Sequence, residues 1–165
     1  MFELTKHCRI IENHVFFLKG PFSQWWQAEI EENGIVFNCS EQYMMYRKAI
    51  LFNDRISAQK ILSASTPREQ KRLGRLVKNF DTGIWDACKE KIVFDGNFLK
   101  FTQNEALKQY LLSTGNSILV EANGHDRIWG IGMFCDDRNL LCTELWGENL
   151  LGKILVQVRE KIRNG

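Results

Sequence analysis

Strand-like runs occur in this 165-residue chain only near its start and again towards its end, and helical periodicity fills the stretch between. That segregation is incompatible with alternating βαβ units. It predicts an α+β fold, one compact domain over residues 1–165, mostly helical with a small antiparallel sheet. Arg9 to Leu18 reads as two short strands around Glu12-Asn13, with Ile10, Ile11, Val15, Phe16 and Phe17 supplying apolar faces. Trp26 to Asn38 reads as a hairpin whose turn holds Asn33-Gly34, a pair that tolerates the positive φ both turn positions need. Ser117 to Ala122 is a buried-looking strand, Asn123-Gly124 turns the chain, and Ile128 to Met133 is the expected partner. Phe134 to Glu148 reads as a long loop.

Start signals place the helices. Asn38-Cys39-Ser40-Glu41 has the form of a capping box, with a helix running behind it to about Phe52. Asp54 opens a short helix through Leu62. Thr66-Pro67-Arg68-Glu69 combines a capping Thr, Pro at the first helical position and Glu at the third, for a helix ending near Lys78. Asp81 precedes Trp85, Cys88, Ile92 and Val93 at helical spacing, and Asn104 caps a further helix through Leu112. Asn149 caps a closing helix striped with Leu151, Ile154, Leu155, Val158 and Ile162.

Composition narrows the function classes. With 44% apolar and 25% charged residues the chain is globular, not disordered. Its net charge of +2 gives no argument for wholesale coating of nucleic acid, though it leaves room for a local basic patch. No apolar run approaches a membrane span, and the first residues, with Glu3, Lys6, His7 and Arg9, lack the apolar core of a secretory leader. Five cysteines without a CxxC, and three scattered histidines, argue against a disulfide framework or a metal site. A cytoplasmic protein with reduced thiols, no metal and no cofactor is expected.

Neither a phosphate-binding Gly-rich loop nor a GxSxG nucleophile turn is present, so chemistry must come from constellations. Glu41, Met44, Met45 and Lys48 share one side of their helix, at offsets of 3, 4 and 7. Glu41 and Lys48 are then roughly 10 Å apart along the axis, too far for an ion pair but within reach of one ligand. Spacing alone leaves a second use open, with Glu41 completing the capping box and Lys48 solvated. In His125 to Gly132, Asp126 could hold a ribose hydroxyl, Trp129 could stack a base, and Gly130 could let backbone approach a ligand. The same segment also reads as a buried strand with a core Trp. Trp85 fits core as well as pocket. The basic run Arg68, Lys71, Arg72, Arg75 and Lys78 fits a solvated face, although Arg75 could meet a phosphate.

Blocks along the chain resemble the NADAR (YbiA-like) family. They include Phe22-Ser23-Gln24-Trp25, Asn38 to Met45, Lys48-Ala49, Leu73-Gly74-Arg75, Phe80-Asp81 with Trp85, and Lys100-Phe101 with Gln103-Asn104. Leu119 to Ala122, Asp126 with Ile128 to Gly132, and Trp146-Gly147 with Asn149 to Gly152 complete the series, in family order over roughly residues 16 to 163. Gln24 stands where the family pattern expects Asn, and Cys135 to Leu145 carries little of that pattern.

The resemblance implies a compact α+β, metal-independent hydrolase of ribosyl–base N-glycosidic bonds. Its expected substrates are riboflavin-pathway intermediates or ADP-ribosylated guanine, as nucleotide or in nucleic acid, and no obligate protein partner is implied. Family functional positions fall on Glu41, Lys48, Trp85, Asp126 and Trp129. Glu41 would stabilise the ribosyl cation or activate water, and Asp126 would orient ribose hydroxyls or share the base role. Lys48 would donate a proton or form a Schiff base, while Trp85 and Trp129 stack the heterocycle. Gly130, Phe22, Ser23, Arg75 and Asn149 are expected substrate contacts. The rival reading is a non-catalytic module that binds ADP-ribose or a related nucleotide.

Overall fold

The computed structural model describes residues 3–165. The architecture is α+β and mostly helical, and the chain forms two compact units. Among the described residues, those up to Ser23 with 105–165 make one, and residues 24–104 make the other. No helix among the described residues is long and apolar enough to cross a membrane.

In the first unit, a short helix α1 (Leu4–His7) leads into strands β1 (Cys8–Ile11) and β2 (His14–Phe17), paired antiparallel around the Glu12-Asn13 turn as expected. Helix α6 (Glu105–Leu112) precedes β5 (Ile118–Glu121), and helix α7 (Leu150–Asn164) closes the chain. β5 does not pair with Ile128 to Met133. It lies parallel to β2, with Val15 opposite Leu119 and Phe17 opposite Glu121, so this three-stranded sheet is mixed. Residues 127–131 instead turn their carbonyls to the segment entering α7 and its first two residues: those of Arg127, Ile128, Trp129, Gly130 and Ile131 accept from the N–H groups of Glu148, Leu150, Leu151, Asn149 and Gly147. A helix leaves its first N–H groups without intrahelical partners, and this loop supplies them. A strand could not face both β5 and a helix end, so the helix requirement wins. Phe16, Val120, Ala122, Ile131 and Leu140 form a buried core cluster, against which Trp146 packs.

In the second unit, β3 (Ile30–Glu32) and β4 (Ile35–Phe37) form the expected hairpin, with Asn33 and Gly34 at φ 53° and 79°. Helix α2 (Ser40–Leu51) is packed by α3 (Arg55–Ser63), α4 (Pro67–Gly74) and the 22-residue α5 (Thr82–Gln103). Every residue from Ser40 to Met45 is buried, because α2 is the centre of this unit rather than a face of it. Two glycines let its neighbours approach: a Cβ on Gly96 of α5 would lie 2.6 Å from the Tyr43 ring, and one on Gly74 would collide with Met45.

Helix α4 stops at Gly74, four residues before the expected end. The reason is Asp54, whose carboxylate accepts from the N–H groups of Lys78 (2.9 Å) and Ser57 (3.0 Å). Lys78 therefore cannot donate to the helical acceptor at residue 74. Asp54, Thr66 and Asp81 each cap their helix through the side chain as anticipated. Asn104 instead finishes α5, donating to the carbonyls of Lys100 and Glu29.

Candidate active site

The capping box shifts by one residue from its expected place. Cys39 is the N-cap of α2 and makes no side-chain cap bond. Gln42, not Glu41, reaches back: its Oε1 accepts from Asn38 N–H at 2.7 Å. Its Nε2 donates to the carbonyls of Ile61, Leu62 and Ala64. Glu41 lies in the first turn of α2, where the helix dipole favours negative charge. Only 6% of Glu41 is exposed, and its N–H donates to the Gln24 carbonyl at 3.0 Å. Gln24 is itself held by Asn97, whose Nδ2 donates to Gln24 Oε1 at 2.8 Å.

Two turns along α2, the Lys48 ammonium lies 4.4 Å from the centroid of the Phe80 ring and 5.3 Å from that of Trp85. Partial burial is the main influence lowering its pKa, the Arg75 guanidinium adds to it, and Glu41 opposes both. The structure therefore gathers Glu41, Lys48, Arg75 and Trp85 within one unit. Trp85, half-buried near the start of α5, is a wall for Lys48 and not a core residue.

The nearby Cys39 thiol is no rival nucleophile. Burial pushes it up to about 11, and its Sγ donates to Gln70 Oε1. Among the described residues no group of three or more His, Cys, Asp or Glu side chains could hold a metal ion.

In the other unit, Asp126 Oδ1 accepts from the N–H groups of Ile128 (2.9 Å) and Trp129 (2.8 Å), which fixes the loop carrying a half-buried Trp129. Gly130 permits a close approach of backbone to backbone: a Cβ there would lie 2.7 Å from the Glu121 carbonyl. Asn149, at φ 52°, does not cap α7 with its side chain. Its Oδ1 accepts from Glu121 N–H and its Nδ2 donates to the Leu119 carbonyl, so the amide ties α7 to β5. Phe22 is wholly buried against Phe17 and Tyr110, with ring centroids 5.4 and 4.8 Å away, and so is core instead of a ligand contact. Ser23 follows it, its N–H donating to the Gly20 carbonyl.

A family model described as the NADAR domain matches residues 15–163. The chain belongs to the NADAR family. The chain is similar to N-glycosidase R617 of Acanthamoeba polyphaga mimivirus, at 45% identity over 146 residues, covering 85% of this chain and 86% of that protein. It is 32% identical over 155 residues to the chloroplastic riboflavin biosynthesis protein PYRR of Zea mays, covering 87% of this chain but 23% of the maize protein. The solved structure of the E. coli protein YbiA superposes with a TM-score of 0.76 at 25% identity, covering 94% of this chain and 88% of that one.

Within this NADAR chain, sequence reasoning missed the polar groups beneath the site. Asn97 and Lys100 are both fully buried on α5. Burial lowers the Lys100 ammonium to about 7, with Cys39 opposing. A signal existed: the buried stripe of α5 passes from Val93 through Asn97 to Lys100 and Phe101 without changing its spacing. Polar residues on an apolar stripe are the informative exception.

Proposed function

We propose that this chain hydrolyses the N-glycosidic bond of a phosphorylated ribosyl nucleotide, either a riboflavin-pathway intermediate or ADP-ribosylated guanine. It is a hydrolase acting on N-glycosyl bonds, the activity for which its relatives are named. The observation that carries the reading is the Glu41–Lys48–Trp85 cluster, a buried carboxylate and a partly desolvated amine against an indole face.

In hydrolysis the C1′–N bond breaks, the electron pair leaves with the base, and water adds its oxygen to C1′ while one of its protons ends on the base. Positive charge grows on C1′ and the ring oxygen, and the Glu41 carboxylate stabilises it or takes the water proton. Lys48 supplies a proton to the departing base, a task favoured by an ammonium that burial makes readier to release one. Trp85 stacks the heterocycle and Arg75 takes a phosphate. Asp126 and Trp129 are substrate contacts in this reading on the strength of the family resemblance. The maize relative's name favours the riboflavin-pathway substrate. All five cysteines are free thiols, which suits a cytoplasmic enzyme.

The test is mass-spectrometric turnover of wild type and Glu41→Gln on the phosphorylated pyrimidine intermediate and on guanine-ADP-ribosylated DNA. Wild type should release base or ADP-ribose from one of them. Glu41→Gln should lose on the order of 100-fold or more, the scale of a lost general acid–base or electrostatic group. Full turnover by a Glu41→Gln protein that melts normally would remove Glu41 from the mechanism.

A further inference from the structure

Seven of the chain's 22 Lys and Arg residues, but one of its 20 Asp and Glu residues, fall between positions 55 and 80. That stretch carries +6 against −4 for everything else, so a nearly neutral total hides a segregated charge. It comprises α3, α4 and the turn that follows, all within the unit of residues 24–104. Its one acid, Glu69, is held bidentately by Arg72, with bonds of 2.7 and 2.8 Å. The carboxylate of neighbouring Asp54 is buried and taken up by backbone N–H groups. Arg55, Lys60, Arg68, Lys71, Arg75 and Lys78 make no ion pair among the described residues. Arg68, Arg72 and Arg75 stand at i, i+4 and i+7 and all are exposed, an arrangement whose mutual repulsion works against the helix.

The surface also has shape. A groove of about 950 Å³ lies between α3 and α4, lined by Arg55, Lys60, Thr66 and the Glu69–Arg72 pair, with Ile56 on its wall. Arg55 and Ile56 also border a second hollow of about 510 Å³ that reaches Lys78. Exposed apolar side chains stand among the cations: Ile56 at 66%, Leu76 at 60% and Phe80 at 44%. Arg75 links the face to the candidate active site, because its charge acts on Lys48.

We propose that the α3–α4 face binds the sugar–phosphate backbone of a single nucleic-acid strand. Cations along a groove, all but Arg72 without an ion pair, match phosphates, and interspersed apolar and aromatic groups offer surfaces for unstacked bases. A lipid surface is a poorer match, since the exposed stripe of α4 is arginine and lacks the continuous apolar face that enters a bilayer. The inference rests on the N-glycosidase reading only in placing the strand beside Arg75.

The test is fluorescence anisotropy of a labelled single strand of about 20 nucleotides, titrated with the full chain from about 50 to about 200 mM salt. The comparison is with Arg55→Glu/Lys60→Glu/Arg68→Glu, none of which lies in the catalytic cluster. Wild type should bind with a log–log salt slope of about −2 or steeper, and the variant should bind about tenfold or more weakly with a slope shallower by about 2, as expected for three lost phosphate contacts. The kcat for the free phosphorylated substrate should stay the same in both, since none of the three residues touches the reacting bond. Failure of wild type to bind at the lowest salt, or equal binding by the variant, overturns the proposal. So does capture by phosphatidylserine vesicles or polyglutamate in place of the strand. Loss of the strand by the variant from a wild type that binds it yet hydrolyses nothing would support this surface and sink the N-glycosidase reading alone.

Discussion

Lys100 sits on the buried stripe of α5 with no solvent exposure, and burial holds its ammonium down to about 7. An unfolded lysine titrates near 10.4, so between those limits the unfolded chain binds a proton that the folded chain does not. Stability therefore rises with pH through that window. Urea unfolding of wild type and Lys100→Met at a series of pH values reads this directly. From about pH 7.5 to about pH 9, wild type should gain roughly 1 kcal/mol per pH unit relative to the variant. The difference between two chains matters here, because burial also raises the Cys39 thiol and costs stability above its ordinary titration range in both. A gap that stays flat across the range would show that Lys100 does not titrate in the fold as stated. At this scale the sequence exposed Glu41, Lys48 and Trp85 as candidates but left their core or solvated alternatives open. Only the fold shows that Lys48 meets the Phe80 and Trp85 rings in place of open solvent.

Elements followed the local signals wherever one segment could satisfy itself. The Asn33-Gly34 hairpin and the starts at Asp54, Thr66 and Asp81 all formed as their side chains dictate. The exceptions have a common cause in groups that serve a distant partner. Gln42 joins the start of α2 to the end of α3 through four hydrogen bonds. Gln42→Ala should therefore cost about 3 kcal/mol, as several buried groups lose their partner, measured by denaturant unfolding. A loss below about 0.5 kcal/mol, the range of ordinary surface changes, would mean that water replaces those bonds and that the α2 start is not fixed this way. Likewise α4 ends where Asp54 takes the Lys78 N–H, and residues 127–131 stay irregular because α7 uses their carbonyls.

Across the whole chain, the +2 net charge conceals a +6 stretch over residues 55–80. Such a surface steers an anionic substrate, and salt screens it over a Debye length of about 10 Å at 0.1 M. Raising salt from about 50 to about 200 mM should lower kcat/KM for a phosphorylated substrate several-fold while kcat barely moves, and a dephosphorylated analogue should show no such effect. Equal salt dependence for both substrates would contradict steering by this face. The sequence by itself determined the α+β class, most helix starts, both tight hairpins and, through ordered blocks, the NADAR resemblance that the family match over residues 15–163 bears out. These depend on caps, turns and periodicities that a few neighbouring residues carry. Tertiary structure alone decided that β5 pairs parallel with β2, 104 residues earlier. It also decided that Lys48 meets Phe80 and Trp85, and that Phe22 and Asn149 serve the interior. Contacts so far apart in sequence form only after long loops close, and no local pattern records which distant segment will be there.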